Sequence, residues 1–425
     1  MAVVEQVDCV IAARWVVPVE PAQAALADHS VVVHAGRILD LLPAEEANQR
    51  YLAERSFDLP RHVLMPGLVD LHTRAAPLLL RGAESAERRW ISRQFVHDGT
   101  LLACAEMIRG GVTCFNDMYF YPEAAASAAT ACGIRAAIGL PVRSSPSPYA
   151  ADVDDYIDKG LAARDVASDK PLLSFCMATD APNELSDAAL GRMLTMADEL
   201  DLPIHLPLHE TRGAIDASLS RWSMRPLERL RRLGLVGSRL IAAHASHCLE
   251  SEIEQLARFG CSVAYCPSAN LRHADGFAPL GKIVAAGINF GIGTGSAARE
   301  RLDIIEELRL ASLLAGAVDN GANALAAQRA LHAATLGGAE ALGLSTETGS
   351  IVPGKAADLC AVALDDCPTG CDPVAQLLQF GHREDVSHVW VAGQTLLEER
   401  RLCTLEVADL DKLRLLWRNN LEPIS

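Results

Sequence analysis

From about residue 63 to residue 349 the chain alternates short apolar segments with helix-length segments. Of all the features of the sequence, this alternation limits the possible folds most. Val112–Phe115 and Leu240–Ala243 are two of the candidate strands. Ser186 and Asp187 are well placed to cap the start of one intervening helix. Strands separated by helices build parallel sheets, and a series of this length suits a closed barrel. The sequence therefore predicts an α/β fold with a (β/α)8 TIM-type barrel over residues 63–349.

The two ends of the chain have a different pattern, in which apolar runs follow one another with turns between them. Val7–Ala12 and Ser30–His34 are strand candidates near the start, and Ala357–Leu364 and Val386–Val391 are candidates near the end. Neither end has enough strands to bury a core of its own. We therefore expect residues 1–62 and 350–425 to form one composite β-sandwich domain.

Charge and composition exclude several classes of partner. The chain has 38 Lys and Arg against 54 Asp and Glu, a formal net charge of −16, which disfavours nucleic acid and anionic membranes. Glu5 and Asp8 stand where a signal peptide would be basic, and no apolar run approaches the roughly 20 residues of a membrane helix. The 12 cysteines are scattered, so we expect reduced thiols in a cytoplasmic protein.

Five motifs carry more specific information. They are Pro-Gly-Leu-Val-Asp-Leu-His at 66–72, Gly-Val-Thr-Cys-Phe-Asn-Asp-Met-Tyr at 111–119, His-Glu-Thr at 209–211, Cys-Pro-Ser-Ala-Asn-Leu at 266–271, and the Gly- and Pro-containing segment 349–359. In this order they resemble the amidohydrolase superfamily, in the branch of methylthioadenosine/S-adenosylhomocysteine deaminases and triazine chlorohydrolases. The resemblance implies a barrel with one divalent metal, usually zinc, and often a homo-oligomer such as a dimer.

The metal ligands that the resemblance implies are incomplete in this chain. His72 and His244 match two of the five ligand positions. Arg74 stands in place of the second histidine of His-x-His, Pro207 in place of the third ligand, and Gly295 where an aspartate is expected. Proline and glycine have no side-chain donor atom, and arginine is a permanent cation. We therefore predict that the usual metal site is lost and that no cofactor is bound.

Other polar residues could still form an active site without the usual metal ligands. Glu210 matches the family's proton shuttle, and Asp180 stands where a substrate-binding histidine is usual. We predict Glu210, His244 and Asp180 as the catalytic residues. Strand alternation puts Arg74 on the same face as His72, so we expect Arg74 to pair with Glu210 or Asp180. The predicted ligand-binding residues are His72, Arg74, Arg81, Trp90, Tyr119, His209 and His247.

Rearrangement of the site is an alternative. His205 and His209 lie four residues apart on one predicted strand and would share a face, so they could join His72 and His244, together with His247 and Asp180. Zinc would then be bound only by a rearranged ligand set. The remaining histidines, His273 among them, match no ligand position.

Three functions are compatible with these residues. The first is a metal-free pseudoenzyme or ligand-binding protein with a small heteroaromatic or purine-like ligand. The second is a metal-independent enzyme that uses Glu210, Asp180 and His244 for acid–base chemistry. The third is a metal-dependent deaminase or C–N or C–Cl hydrolase with an unusual ligand set. The sequence favours the first, with a small molecule as the partner rather than nucleic acid or a membrane.

Overall fold

The structure, a computed structural model, describes residues 4–21, 25–81, 87–318, 325–364 and 370–421. Its strands are β1 Glu5–Val16, β2 Leu26–His34, β3 Arg37–Pro43, β4 Tyr51–Pro66, β5 Leu68–Arg74, β6 Val112–Asp117, β7 Arg135–Pro141, β8 Leu173–Ala178, β9 Ile204–Leu208, β10 Leu240–His244, β11 Ser262–Tyr265, β12 Asn289–Ile292, β13 Gly295–Ser296, β14 Leu359–Ala363, β15 Val386–Val391, β16 Gln394–Glu398 and β17 Arg401–Leu402.

Helices occupy most of the connections between the central strands. They are α1 Ala44–Arg50, α2 Glu87–Trp90, α3 Arg93–Arg109, α4 Pro122–Cys132, α5 Val153–Ala167, α6 Asp187–Glu199, α7 Arg212–Trp222, α8 Pro226–Arg232, α9 Glu250–Arg258, α10 Pro267–His273, α11 Leu280–Ala285, α12 Ile304–Val318, α13 Ala327–His332, α14 Gly338–Ala341, α15 Pro373–Phe380 and α16 Val407–Leu421.

The central strands form a curled parallel sheet in the order β12-β11-β10-β9-β8-β7-β6-β5-β13. β13 follows β12 after two residues yet pairs with β5 at the opposite edge, with Gly295 opposite Thr73 and Ser296 opposite Arg74. This connection brings the sheet round on itself, as in a TIM barrel. The predicted barrel fold is confirmed, and all its strands end at one edge because they run parallel.

Local sequence signals explain where several helices begin. The hydroxyl of Ser186 accepts a hydrogen bond from the backbone N–H of Ala189, and Asp152 accepts from Asp154 and Asp155. Both residues satisfy N–H groups that have no partner within the first helical turn. The cap predicted at Ser186 therefore holds α6 at its predicted position.

The terminal strands form a second, mixed sheet in the order β17-β16-β15-β14-β4-β1-β2-β3. β4 is its centre, since it pairs in parallel with β1 from its own end of the chain and antiparallel with β14 from the other end. Strands from both termini thus share one sheet, as predicted. They are joined by continuous hydrogen bonding, where the sequence suggested two packed sheets. The domain limits given above remain a prediction.

Two further observations concern the chain as a whole. Over the described ranges, no helix combines the length and the apolar character that crossing a membrane requires. Ten described cysteines are free thiols, most of them buried, as expected. Cys371 is disulfide-bonded, so the prediction of reduced thiols is wrong at that residue.

Candidate functional site

A cavity of about 320 Å³ lies where the central parallel strands end. β5 contributes His72 and Arg74, and β10 contributes His244. Glu210, two residues beyond β9, also lines it, as does Asp180 two residues beyond β8. The cavity is called the barrel-mouth cavity below. Functional side chains of TIM barrels gather at this edge, because every strand delivers its last residues there.

Three imidazoles lie together at the base of the barrel-mouth cavity. Nδ1 of His72 is 2.9 Å from Nε2 of His205, and the ring centres of His72 and His244 are 5.3 Å apart. Asn116 on β6 fixes the back of this group, since its side-chain N–H donates to Leu71 O and lies 3.0 Å from Nδ1 of His205. The prediction that His205 approaches His72 agrees with this geometry.

Burial keeps two of these imidazoles neutral. It lowers the pKa of His205 to about 3, and the neighbouring His244 adds to the effect. It also lowers the pKa of His72 well below its usual range, with further contributions from His205, His244 and Arg74. A charged imidazole would lose its hydration in this position without a carboxylate to replace it. At neutral pH both rings therefore present lone pairs and single N–H donors.

Glu210 and His244 form the polar pair nearest this group. Oε1 of Glu210 is 3.6 Å from Nε2 of His244, while Nδ1 of His244 is buried without a hydrogen-bond partner among the described residues. His209, His244 and Ala245 all have left-handed backbone conformations, with φ of 49°, 70° and 52°. Non-glycine residues rarely adopt this conformation, and it recurs at functional sites.

Arg74 points into the barrel-mouth cavity, but its partner differs from the expected one. Its Nη2 is 2.7 Å from Oε1 of Glu87, and the Tyr119 hydroxyl donates to the same oxygen at 2.8 Å. The guanidinium also lies over the Tyr119 ring, 5.2 Å from its centre. The predicted pairing of Arg74 with Glu210 or Asp180 is wrong, because the guanidinium forms its ion pair with Glu87 in the short helix α2.

Asp180 is held from the other side of the cavity wall. Its Oδ1 is 3.3 Å from Nε of Arg143, and that guanidinium lies over the ring of Phe120. Asp180, Arg143, Phe120 and Tyr119 also line a smaller, more apolar pocket next to the barrel-mouth cavity. The site thus offers a flat apolar wall beside a carboxylate, and Tyr119 is part of that wall.

Two residues predicted to bind a ligand have other roles in the structure. Arg81 forms a bidentate ion pair with Glu106 and donates to the backbone oxygens of Ala297 and Glu300, which anchors the chain behind the cavity. Trp90 packs edge-on against Trp417 of the C-terminal helix. Neither is among the residues that line the barrel-mouth cavity, and their binding of a ligand remains a prediction.

His209 and His247 also lie outside the cavity lining. β9 ends at Leu208, and the left-handed turn at His209 ends the alternation that would have placed its ring beside that of His205. The His209 ring is fully buried and faces Glu252, 3.2 Å away. His247 lies beside Gly276, where a Cβ would be 2.8 Å from its ring. The predicted sharing of one face by His205 and His209 is wrong.

The two positions without donor atoms do line the cavity. Pro207 and Gly295 contribute to its wall, next to Ser296. Gly295 has φ of 75°, and a Cβ there would lie 3.1 Å from the Cβ of Ala269. A residue with a side chain at 295 would therefore be strained in this backbone. Thr294 donates instead to the buried Asp70, which ties this segment to β5.

Among the ionisable residues of the cavity lining, sequence reasoning missed three, namely Glu87, His273 and Arg299. Arg299 Nη1 is 3.0 Å from Nδ1 of His273. Glu87 lies between Arg81 and Trp90, two residues predicted to bind a ligand, but was not itself predicted. The position of His273 after the apolar strand β11 was an available signal, whereas Arg299 follows β13, a two-residue strand without a sequence pattern.

A separate group of metal-ligand side chains lies beside the cavity. Within the described ranges, His209, Cys248 and Glu252 are the one set of three whose donor atoms all lie within 4.8 Å of one another. Burial raises the pKa of the Cys248 thiol to about 12, so it is protonated at neutral pH. This group contacts the turn that precedes Glu210.

The chain is similar in sequence and structure to known proteins of one family. Residues 63–396 match the model of the amidohydrolase family. A 5-methylthioadenosine/S-adenosylhomocysteine deaminase of Teredinibacter turnerae is 37% identical over 98% of this chain and 98% of its own. One of Saccharophagus degradans is 35% identical over 97% and 96%. An adenosine deaminase of Xanthomonas campestris, solved with bound zinc, is 39% identical, covers 99% of this chain and 100% of its own, and has a TM-score of 0.96.

These relatives contradict the favoured prediction of a metal-free pseudoenzyme or ligand-binding protein. That prediction depended on the residues at 74, 207 and 295, three positions of the barrel mouth. The agreement with proteins named as deaminases extends over nearly the whole chain, and one such protein holds zinc. The prediction is wrong, and the third hypothesis, an enzyme with an unusual ligand set, fits the comparisons better.

Proposed function

This chain belongs to the amidohydrolase family, and from that premise we propose that it is a metal-dependent deaminase of adenine nucleosides such as 5-methylthioadenosine and S-adenosylhomocysteine. The observation that carries the proposal is the 37% identity to a deaminase of these substrates over 98% of both chains. A nucleoside is also compatible in size with the barrel-mouth cavity of about 320 Å³. We further propose a cytoplasmic homo-oligomer.

The donor atoms near the base of the barrel-mouth cavity suit a zinc ion. His72, His205 and His244 form a buried group of imidazoles, and burial keeps the first two neutral. Neutral imidazole is a preferred ligand of zinc, which three histidines hold in some catalytic sites. The cation at Arg74 is already paired with Glu87, which reduces its repulsion of a second cation. We propose that these three imidazoles would hold the metal once the 2.9 Å contact between Nδ1 of His72 and Nε2 of His205 opens, in a ligand set altered from the family pattern at Arg74, Pro207 and Gly295.

The reaction would replace the amino group at C6 of adenine by oxygen. A zinc ion, when bound, lowers the pKa of water so that hydroxide is available near neutral pH. Glu210 would accept the proton of the attacking water and pass it to a nitrogen of the ring. The proton of the newly added hydroxyl would then pass through Glu210 to the amino nitrogen, the C6–N bond would break, and ammonia would leave as the C6 carbonyl forms. Glu210 is well placed for this proton transfer, because it lines the cavity 3.6 Å from His244.

The remaining walls would orient the nucleoside. Tyr119 and Phe120 offer aromatic faces for the base or the alkylthio group. Carboxylates of Glu87 and Asp180 line the same space and are suited to accept hydrogen bonds from ribose hydroxyls. Asp180, predicted as a catalytic residue, is assigned in this proposal to substrate binding, since Arg143 neutralises it.

An assay of the full-length protein tests the proposal. Purified chain supplied with zinc would be incubated separately with 5-methylthioadenosine, S-adenosylhomocysteine and adenosine. Ammonia and the absorbance change from adenine to hypoxanthine would both be followed. We expect stoichiometric ammonia from at least one nucleoside. Failure to release ammonia from all three, with zinc, manganese and ferrous iron each tried, would overturn the proposed function.

A further inference from the structure

A buried chain of ionic contacts supports the turn that presents Glu210. Arg225, just before α8, donates from Nε and Nη2 to the two carboxylate oxygens of Glu252 in α9, at 2.7 and 2.9 Å. Oε1 of Glu252 is also 3.2 Å from Nε2 of His209. The side chains of His209 and Glu252 are 0% and 7% exposed. Arg225 before α8 and Glu252 in α9 thus form a buried chain of contacts that ends on His209, the residue before Glu210.

The backbone at this turn is held from the opposite side by the neighbouring strand end. His247 N–H donates to His209 O at 3.1 Å, and Ala245 N–H donates to Leu208 O at 3.1 Å. Arg225 Nη2 also donates to His247 O at 2.9 Å. His209 has φ of 49°, a conformation that is unfavourable for a side-chain-bearing residue and persists only where surrounding contacts enforce it. Its ring contact with Glu252 is such a contact.

The same geometry argues against a metal ion between His209, Cys248 and Glu252. Each oxygen of Glu252 already accepts from Arg225, and Oε2 accepts in addition from Leu249 N–H at 2.8 Å. Burial raises the pKa of Glu252, but the close contact with His209 and the hydrogen bonds from Arg225 outweigh that effect and bring it to about 2. The carboxylate is therefore charged at neutral pH, and both of its oxygens already accept hydrogen bonds from the guanidinium of Arg225.

We propose that Arg225 and Glu252 are positioning residues that act through His209 to hold Glu210 in the barrel-mouth cavity next to His244. The inference rests on the proposed function, in which Glu210 transfers the proton. Neither residue lines the cavity, and neither touches the reacting atoms. Their effect on the reaction is geometric: without the charged contact, the left-handed turn at His209 relaxes and the Glu210 carboxylate leaves its place beside His244.

The test is E252Q in the full-length protein, which keeps the size of the side chain and removes its charge. We expect kcat to fall roughly 10- to 100-fold, the range that a displacement of about 1 Å at a catalytic group produces, with KM within about 3-fold. The matched control is E250Q, two residues earlier in α9, because Glu250 is 76% exposed on its side chain. E250Q should keep both constants. A kcat for E252Q within 2-fold of the wild type would overturn the proposal.

Two further measurements separate this proposal from the proposed function. Crystal structures of E252Q and the wild type should differ at φ of His209 and in the 3.6 Å distance between Glu210 and His244; an unchanged turn would overturn the positioning role even if the protein has no deaminase activity. Should E252Q fail to fold, R225K replaces it and should give an intermediate loss of kcat. Zinc bound by His209, Cys248 and Glu252 in the wild-type crystal would equally contradict the proposal.

Discussion

The guanidinium of Arg74 lies 2.7 Å from Oε1 of Glu87 inside the barrel-mouth cavity, and Tyr119 donates to that same oxygen. This pair places a cation and an anion side by side at a position where the family resemblance implies a neutral metal ligand. The pair adds little net charge to the cavity. The electrostatic repulsion between the site and a bound cation is therefore weaker than an unpaired arginine would cause.

Replacement of Arg74 by methionine should destabilise the protein by about 1–2 kcal/mol. The variant leaves the half-buried Glu87 without its cation, and the cost lies between that of an exposed pair and that of a fully buried one. Urea unfolding of R74M measures it. R93M is the control, since Arg93 is 72% exposed and 3.8 Å from Glu123, and it should change the free energy of unfolding by less than about 0.5 kcal/mol. Equal effects of the two variants would show that the cavity pair contributes nothing.

Replacement of Glu210 by glutamine should lower kcat for the deamination by about 100- to 10,000-fold, the usual contribution of a positioned acid–base group. The amide keeps the shape of the side chain but neither accepts nor returns a proton. The matched control is E184Q, at an exposed position of the same barrel edge. Ammonia release and thermal unfolding of both variants are the measurements. Full activity in E210Q would remove Glu210 from the reaction.

The buried pair of Arg135 and Asp358 should contribute strongly to stability. Nε of Arg135 in β7 is 2.7 Å from Oδ2 of Asp358, which precedes β14 in the terminal sheet, and the side chains are 6% and 0% exposed. D358N leaves a buried guanidinium without its anion, at an expected cost of about 3–5 kcal/mol. R50A, which breaks an exposed pair with Glu46, should cost less than about 0.5 kcal/mol. Chemical unfolding distinguishes these; a loss below about 1 kcal/mol in D358N would contradict the assignment.

Glu307 should make stability depend on pH near neutrality. Burial raises its pKa from the usual value of 4.5 to about 8, although Ser268 hydrogen-bonds to both carboxylate oxygens. The folded state therefore favours the protonated acid, so its contribution is fully present below pH 4.5 and is lost as the pH rises towards 8.

The substitution E307Q tests this sign. Since glutamine remains neutral, E307Q should match the wild type near pH 4.5 and be more stable than it at pH 8, measured by urea unfolding across that range. The wild-type slope attributable to Glu307 is at most about 1.4 kcal/mol per pH unit. E306Q, at the partly exposed neighbour of Glu307, should leave the slope unchanged. A slope in E307Q equal to that of the wild type would refute the assignment.

Periodic patterns made the fold predictable from the sequence. The strands from β5 to β12 are short apolar runs between helices, and the cap at Ser186 is a local signal that the structure retains. The pairing of β13 with β5 was not predictable, because a two-residue strand has no periodicity. The single mixed terminal sheet also depends on β4, a 16-residue strand whose polar residues obscure its pattern.

Strand alternation predicted the part of the site that lies on strands, and the family resemblance predicted Glu210 and Asp180, which line the cavity beyond the strand ends. His72, Arg74 and His244 lie at strand ends and line the cavity as expected. His209 escaped the prediction because a left-handed residue ends the alternation after Leu208. Glu87 escaped it because its contact with Arg74 is set by tertiary packing of α2, which no local pattern encodes. The loss of the expected metal ligands at residues 74, 207 and 295 was also a poor guide to function. His205, which matches no ligand position of the family, lies beside His72 and offers another imidazole.

We propose above that this chain deaminates an adenine nucleoside with a bound metal. The most direct measurement is a titration of zinc into chelator-treated full-length protein, with ammonia release from 5-methylthioadenosine followed at each addition. The account predicts that activity rises in proportion to zinc and stops rising at about one equivalent per chain, as expected for a mononuclear site. Absence of ammonia at every ratio, although the protein is folded, would contradict it.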